Sequence, residues 1–292
     1  MKAKPTLEKC PVCGGRFARL RHQWLFVCSN CGLLSSNLEP EIPTEAGQSI
    51  INETRRSDGL RAIRTRNNSR ILDSIGGALN GGRRRLLDVG SGLGFFLKNA
   101  SARGFQVTGI EPDANVVNAA RKSGLDVRHG YFPDCMEPGE QFDVIVFNDV
   151  FEHIPNIDAA MRACVTHLSP RGVLVLNCPN KNGVFYRISE ILDRIGCHGA
   201  FDRVWQRNLP SPHVWYFTPS QLARLGRQHG LEAVSIIKLT PITLRGISNR
   251  IFHVGEQSKI IGVAAVIATT LIAPFLSILP RDIGVVLLRK NN

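Results

Sequence analysis

Leu86-Leu87-Asp88-Val89-Gly90-Ser91-Gly92-Leu93-Gly94 runs from an apolar segment into three glycines at alternate positions, and then into Phe95-Phe96-Leu97-Lys98-Asn99-Ala100. The pattern predicts a strand, a tight loop and a helix. A buried parallel strand leaves its last carboxylate and backbone N–H groups at the C-terminal edge of a sheet. Glycine there lets the main chain turn and approach a ligand without a Cβ clash. A second apolar run, residues 105–110, ends at Glu111, 19 positions beyond Gly92. An acid at that spacing stands where a second strand tip meets the ribose hydroxyls of an adenosyl ligand.

The glycine spacing separates two cofactor classes. A dinucleotide fold carries G-x-G-x-x-G around a pyrophosphate, whereas this loop is G-x-G-x-G with an acid at the strand end. Asp88 is poorly placed beside a pyrophosphate and well placed beside the ammonium of an amino-acid moiety. On Asp88, Gly90, Gly92, Gly94 and Glu111, the segment resembles the nucleotide-binding start of class I S-adenosylmethionine-dependent methyltransferases. The resemblance covers about residues 70–240 and 282–290. It implies an α/β fold, a Rossmann-like seven-stranded sheet with helices on both faces, with S-adenosyl-L-methionine as cofactor.

Later landmarks follow the order of that family. Residues 142–147 read as the fourth strand and end at Asn148-Asp149, the implied lining of the cofactor pocket. Glu152-His153-Ile154 then resembles the family's Glu-His-(Ile/Leu) turn. In many relatives an acid just after the glycine of the third-strand turn reaches the adenine amino group. Here Tyr131 follows Gly130, so backbone groups or packing are expected to hold adenine, with Asp134 a weaker substitute. Pro212-His213-Val214-Trp215-Tyr216-Phe217-Thr218 resembles the His-x-x-x-Phe-(Thr/Ser) helix entrance of methyltransferases related to those acting on quinones and sugars. Residues 181–217, with Tyr186, Trp205, Trp215 and Tyr216, read as a substrate lid at the sheet's C-terminal edge. His213 is the first candidate general base and His153 the second, each set against a bracing or packing role. Thr218-Pro219 opens the next helix.

Ahead of this domain, Cys10 pairs with Cys13 and Cys28 with Cys31. Each Cys-x-x-Cys is followed by glycine, and 14 residues separate the two pairs. Such knuckles set four thiolates around a structural zinc, with no position left for a metal-activated water. The expected organisation is a zinc ribbon at 1–36, a linker and basic helical region at 37–82, and a methyltransferase domain at 83–292 with its lid at 181–217. In the basic region, residues 49–79 read as helical, with Gly59 and Asn67-Asn68 as candidate breaks. A hydrophobic insertion is expected at 255–281, before a last strand at 283–290. Its residues 260–279 carry no charge and reach the length of a bilayer core. Spanning would put the last two strands of one sheet on opposite sides of a membrane, and Pro274 divides the run. A re-entrant or surface-lying hairpin, a buried cap or dimer contact and, if the last strand is wrongly assigned, a spanning helix remain open.

The chain has 292 residues, 36 Lys plus Arg against 24 Asp plus Glu, and a formal charge of +12. That balance favours anionic neighbours without choosing among lipid headgroups, nucleic acid and phosphorylated substrates. Residues 1–9 are polar and do not read as a secretory leader, and Cys135, Cys164, Cys178 and Cys197 are scattered. Both features suit a reducing cytoplasm. The expected acceptor is a small or lipid-linked molecule methylated at oxygen, with peripheral contact to an anionic membrane. Two alternatives stand beside it. One is a ribosomal RNA base methyltransferase docking through ribbon and arginines, although Asn177-Cys178-Pro179-Asn180 lacks the Asn-Pro-Pro-aromatic or Asp-Pro-Pro-aromatic signature of base amino methylation. The other is an inactive zinc-ribbon scaffold, against which the intact Asp88, Gly90, Gly92 and Glu111 speak. The sequence leaves the oligomeric state undecided.

Overall fold

The computed structural model describes residues 8–39, 53–79, 82, 84–239 and 280–291. In chain order these form β1 (Phe17–Arg19), β2 (Leu25–Cys28), β3 (Leu34–Ser36), α1 (Glu53–Ala78), β4 (Arg85–Val89), α2 (Phe95–Ser101), β5 (Gln106–Glu111), α3 (Ala114–Lys122), β6 (Val127–His129) and β7 (Phe142–Asn148). A 3-10 turn, Phe151–His153, leads to α4 (Ile157–His167), β8 (Leu168–Pro179), α5 (Val184–Arg194), α6 (Gly199–Val204), β9 (Trp215–Tyr216), α7 (Pro219–Gln228), β10 (Leu231–Leu239) and β11 (Ile283–Lys290).

The large sheet has the order β10-β11-β8-β7-β4-β5-β6. β6, β5, β4, β7 and β8 run parallel, and β11 is antiparallel to both β8 and β10. Strands covered on both faces must be apolar at successive positions, and period-two alternation sorts their side chains. Leu87, Val89, Ile145, Phe147, Leu174 and Leu176 enter one core with residues of α4, α7 and the ribbon. Leu86, Val144, Val146, Val173 and Val175 enter the other with residues of α1, α2 and α3. The strand order reverses at β4, so the crevice beyond the C-terminal ends of β4 and β7 is where such a sheet receives a ligand.

The residues expected to break the first helix do not do so: α1 is continuous. Ile71, Leu72 and Ile75, each 2% exposed or less, pack in one core with the strands of the sheet. Their burial outweighs the weak helix propensity of Gly59 and the asparagine pair. The expected start of the helix after Thr218 is as read: Thr218 and Gln221 form a reciprocal capping box, with Pro219 in the first turn.

β1, β2 and β3 make an antiparallel ribbon that β9 extends by a fourth strand, through Leu34↔Tyr216 and Ser35↔Trp215. The apolar run 260–279 lies outside the described residues. The chain is described again at Pro280, whose carbonyl accepts from the Val184 N–H at 3.3 Å. Among the described residues, no helix is long and apolar enough to cross a membrane.

Candidate functional site

Beyond β4, Gly90, Gly92 and Gly94 lie at φ 71°, 54° and 76°, a region that glycine alone enters without cost. A Cβ on Gly90 would stand 2.5 Å from Val150 Cγ2, and one on Gly94 2.0 Å from Leu125 Cδ1. A Cβ on Gly92 would meet nothing within 4 Å, so its backbone faces open space. Glu111, at the tip of β5, fixes this loop: Oε2 accepts the Gly92 N–H at 2.9 Å and Oε1 the Asp113 N–H at 3.0 Å. Asn148 closes the neighbouring tip of β7, its Oδ1 accepting from Asn177 Nδ2. Asp149, at φ 58°, donates its N–H to the Asn177 carbonyl at 2.9 Å. All seven residues expected around the cofactor therefore lie along the C-terminal ends of β4, β5 and β7.

Asp88 supplies the electrostatic feature of this edge. It is 2% exposed, and its Oδ1 has no hydrogen-bond partner. Burial, and secondarily the Glu111 charge, push its pKa up to about 8. A buried carboxylate with an orphan oxygen at the end of a glycine turn fits a cationic amino group, which brings the charge and the donors that the protein omits. Tyr131, in the turn after β6, is 37% exposed. Burial and the Glu111 charge raise its phenol pKa.

A second set of groups converges beside β7 and β8. Glu152, in the 3-10 turn, is 1% exposed, and neither carboxylate oxygen has a nitrogen or oxygen partner. The Cys178 thiol, a weak donor, lies against it; burial, then the Asp149 charge, hold its pKa well above the carboxylate range. His153 donates from Nδ1 to the Pro212 carbonyl at 2.9 Å, which makes Nε2 the lone-pair nitrogen of the neutral ring. That Nε2 is 3.9 Å from Glu152 Oε1, and His213 Nε2 is 4.0 Å from the same oxygen. The two imidazoles are 4.8 Å apart. His213 is buried, and desolvation, then His153, depress its pKa well below the usual value. Burial thus opposes charge on both Glu152 and His213. The three side chains present ligand atoms within 4.8 Å of one another, a spacing that also suits a divalent cation. The sequence marks both histidines as candidate bases, and Glu152 only as part of the turn that His153 shares. Its direct precedence to His153 at a strand tip was the available signal.

The ribbon holds part of this cluster in place. Ser36 Oγ donates to the His213 carbonyl at 2.7 Å and Ser35 Oγ to the Val214 carbonyl at 3.2 Å. The Val214 N–H donates to the Glu152 carbonyl at 2.9 Å. Within the ribbon, the Gly14 N–H reaches the Cys10 carbonyl at 2.8 Å and the Gly32 N–H the Cys28 carbonyl at 2.9 Å, forming two matched knuckles. The four Sγ atoms lie within 4.8 Å of one another, with Cys10–Cys31 at 3.6 Å and Cys13–Cys28 at 3.3 Å. Thiolates at about 2.3 Å from a tetrahedral zinc stand roughly 3.8 Å apart, so the set fits that ion. Gln221 Nε2, on α7, donates to the Cys31 carbonyl at 2.8 Å and joins the knuckle to the main domain.

Comparison with known proteins agrees with this architecture. A family profile described as "Methyltransferase domain" matches residues 60–236. The ubiquinone biosynthesis O-methyltransferase of Azoarcus sp. (strain BH72) is 29% identical over 185 residues, covering 59% of this chain and 75% of that protein. The enzyme of the same name from Stutzerimonas stutzeri (strain A1501) is 30% identical over 171 residues, covering 55% and 70%. Among solved structures, a SAM-dependent methyltransferase from Archaeoglobus fulgidus has the same fold at a TM-score of 0.53 and 16% identity, covering 82% of this chain and 100% of that one.

Proposed function

We propose, from the premise that this chain belongs to the methyltransferase-domain family and is an S-adenosylmethionine-dependent methyltransferase, that its acceptor is a hydroxyl on a small quinone-like or lipid-linked molecule. The observation that carries this reading is the pair of imidazoles set against the buried Glu152, next to the β7 tip. Bound S-adenosylmethionine supplies a methyl group on a sulfonium. Asp88 pairs with its ammonium, Glu111 and the loop of Gly90, Gly92 and Gly94 hold the nucleoside, and Asn148 and Asp149 border the methionine portion. His153 Nε2 accepts the acceptor hydroxyl's proton while the oxygen takes the methyl and the sulfur keeps the electron pair of the broken bond. An imidazolium beside Glu152 favours its ionised form, so the carboxyl becomes the counter-charge when it is needed. His213 packs behind this pair and serves as the alternative base.

Residues 1–36 act in this scheme as a zinc ribbon, with Cys10, Cys13, Cys28 and Cys31 as ligands. Residues 181–217 act as the lid over the acceptor. A greasy acceptor and peripheral contact with an anionic membrane are supported by the apolar run 260–279 and by α5, which exposes Ile188 and Ile191 by 48% and 60%. Ile195, 70% exposed, follows directly after that helix. Grouped exposed aliphatics with arginines alongside suit a lipid interface.

The test offers purified protein and labelled S-adenosylmethionine a total lipid extract, a polar metabolite extract and unmodified ribosomal RNA in parallel, with Asp88→Asn as control. Label in the lipid extract is the expected outcome, and label in a polar hydroxyl compound keeps the reaction while removing the lipid. Label in RNA overturns the acceptor class.

A pH dependence follows from Asp88. A cationic partner favours its ionised form, so below about pH 8 binding must expel a proton. Affinity for S-adenosylmethionine should therefore rise with pH and level off near 8, with a slope of up to about tenfold per pH unit. Calorimetry at pH 7 in buffers of different ionisation enthalpy should register proton release, and an identical heat in every buffer argues against Asp88 as the ammonium's partner.

A further inference from the structure

We propose that His22, Asp193 and His198 form a second metal site, for a divalent cation of the zinc class, at the seam between the ribbon and the α5–α6 pair. His22 lies in the turn between β1 and β2, Asp193 in the last turn of α5, and His198 immediately before α6. His22 Nε2 is 2.9 Å from both Asp193 oxygens, and His198 Nδ1 is 2.6 Å from Oδ1. The three donor atoms lie within 4.8 Å of one another. Two imidazoles and one carboxylate, with solvent completing the shell, are a donor set that divalent transition metals accept.

Three observations carry the site beyond a chance ion pair. The Asp193 side chain is fully buried, and the groups around its oxygens are Arg21, His22 and His198, every one of them cationic or cation-binding. The His22 ring is oriented in advance: it stacks on Trp24 at 5.2 Å and 18° and on Phe201 at 5.7 Å and 22°. That orientation aims Nε2 at the middle of the carboxylate without cost at the moment of binding. His198 is half-exposed, which leaves a path for the ion and room for water ligands.

Arg21 is the obvious objection, because its guanidinium sits 3.1 Å from Asp193 Oδ2. Glu190 Oε1, 3.6 Å from Arg21, offers that cation another carboxylate when a metal takes Asp193. The donors must also spread. Neighbouring ligands on a tetrahedral zinc stand roughly 3.3 Å apart, so the nitrogen–oxygen distances of 2.9 and 2.6 Å must open by well under an ångström. The exposed His198 can supply most of that movement. A metal there would staple a ribbon turn to the helices that follow β8, independently of the four cysteines.

The test counts metal in the full-length protein after equilibration with zinc, and reads the cobalt(II)-substituted protein by absorption. Wild type should hold two equivalents, and His198→Ala one, with the thiolate-to-cobalt charge-transfer bands of the ribbon unchanged. Asp193→Asn should do the same if it folds; His198, being exposed, keeps the test sound if it does not. One equivalent in wild type carrying thiolate bands, or a second equivalent that survives His198→Ala, overturns the proposal. A single equivalent without thiolate bands that His198→Ala abolishes supports this site and instead removes zinc from the ribbon.

Discussion

Replacing Asp88 with asparagine is expected to weaken S-adenosylmethionine binding by between about 30-fold and a few thousand-fold while leaving the fold at least as stable. The affinity loss follows from removing one partner of a buried, charge-assisted contact, worth about 2–5 kcal/mol. The stability argument runs the other way. The folded-state pKa of about 8 lies above the ordinary 3.8, so between those values the folded chain keeps a proton that the unfolded chain has released. Burial of this carboxyl therefore starts to cost stability as pH rises through 3.8, and the cost is complete above about 8. An amide does not titrate, and at pH 7 the variant should melt at the same temperature or higher. Calorimetric titration and a thermal melt on the same sample decide the matter. Unchanged affinity would remove Asp88 from the cofactor's ammonium, and a large fall in melting temperature would make its role structural.

The second large effect belongs to His153. His153→Ala should lower kcat by about 10²–10⁴-fold, the usual contribution of a positioned proton acceptor, with cofactor affinity unchanged because the ring lies outside the Asp88 and Glu111 cleft. His213→Ala is a useful contrast. That ring is buried and stays neutral, so its loss should register first as a lower melting temperature. Steady-state kinetics with a cofactor titration alongside separates the two. If His213→Ala abolishes turnover in a stable protein while His153→Ala retains it, the proton goes to His213.

What the sequence made legible was local. Asp88 with its glycines and the two cysteine knuckles each lie within a few residues of the turn that shapes them, so local chain geometry places them; Glu111, 19 positions beyond Gly92, is placed by the spacing of one strand from the next. β7 and β11 were readable for the same reason, since a strand covered on both faces is a continuous apolar run. Residues 181–217 read only as a lid set between a strand and a helix, and they contain α5 and α6. Glu152, His213 and the Ser35–Ser36 pair meet only through the fold. No period or spacing joins residues 61 positions apart, as Trp215 and Ile154 are where the indole N–H donates to the carbonyl at 2.8 Å. The His22–Asp193 contact, across 171 positions, was further still from view.

The pairing of β3 with β9 also sets the order in which this protein can mature. The ribbon leaves the ribosome early, but the segment it must grip follows 179 positions later, as the Ser35–Val214 contact shows. Chain synthesis delivers N-terminal segments first, so the edge of β3 that pairs with β9 waits while β4, β5 and β7 are made. Alignment of His213 against Glu152, which runs through the Val214 N–H and the Glu152 carbonyl, therefore comes after β4, β5 and β7 have been made.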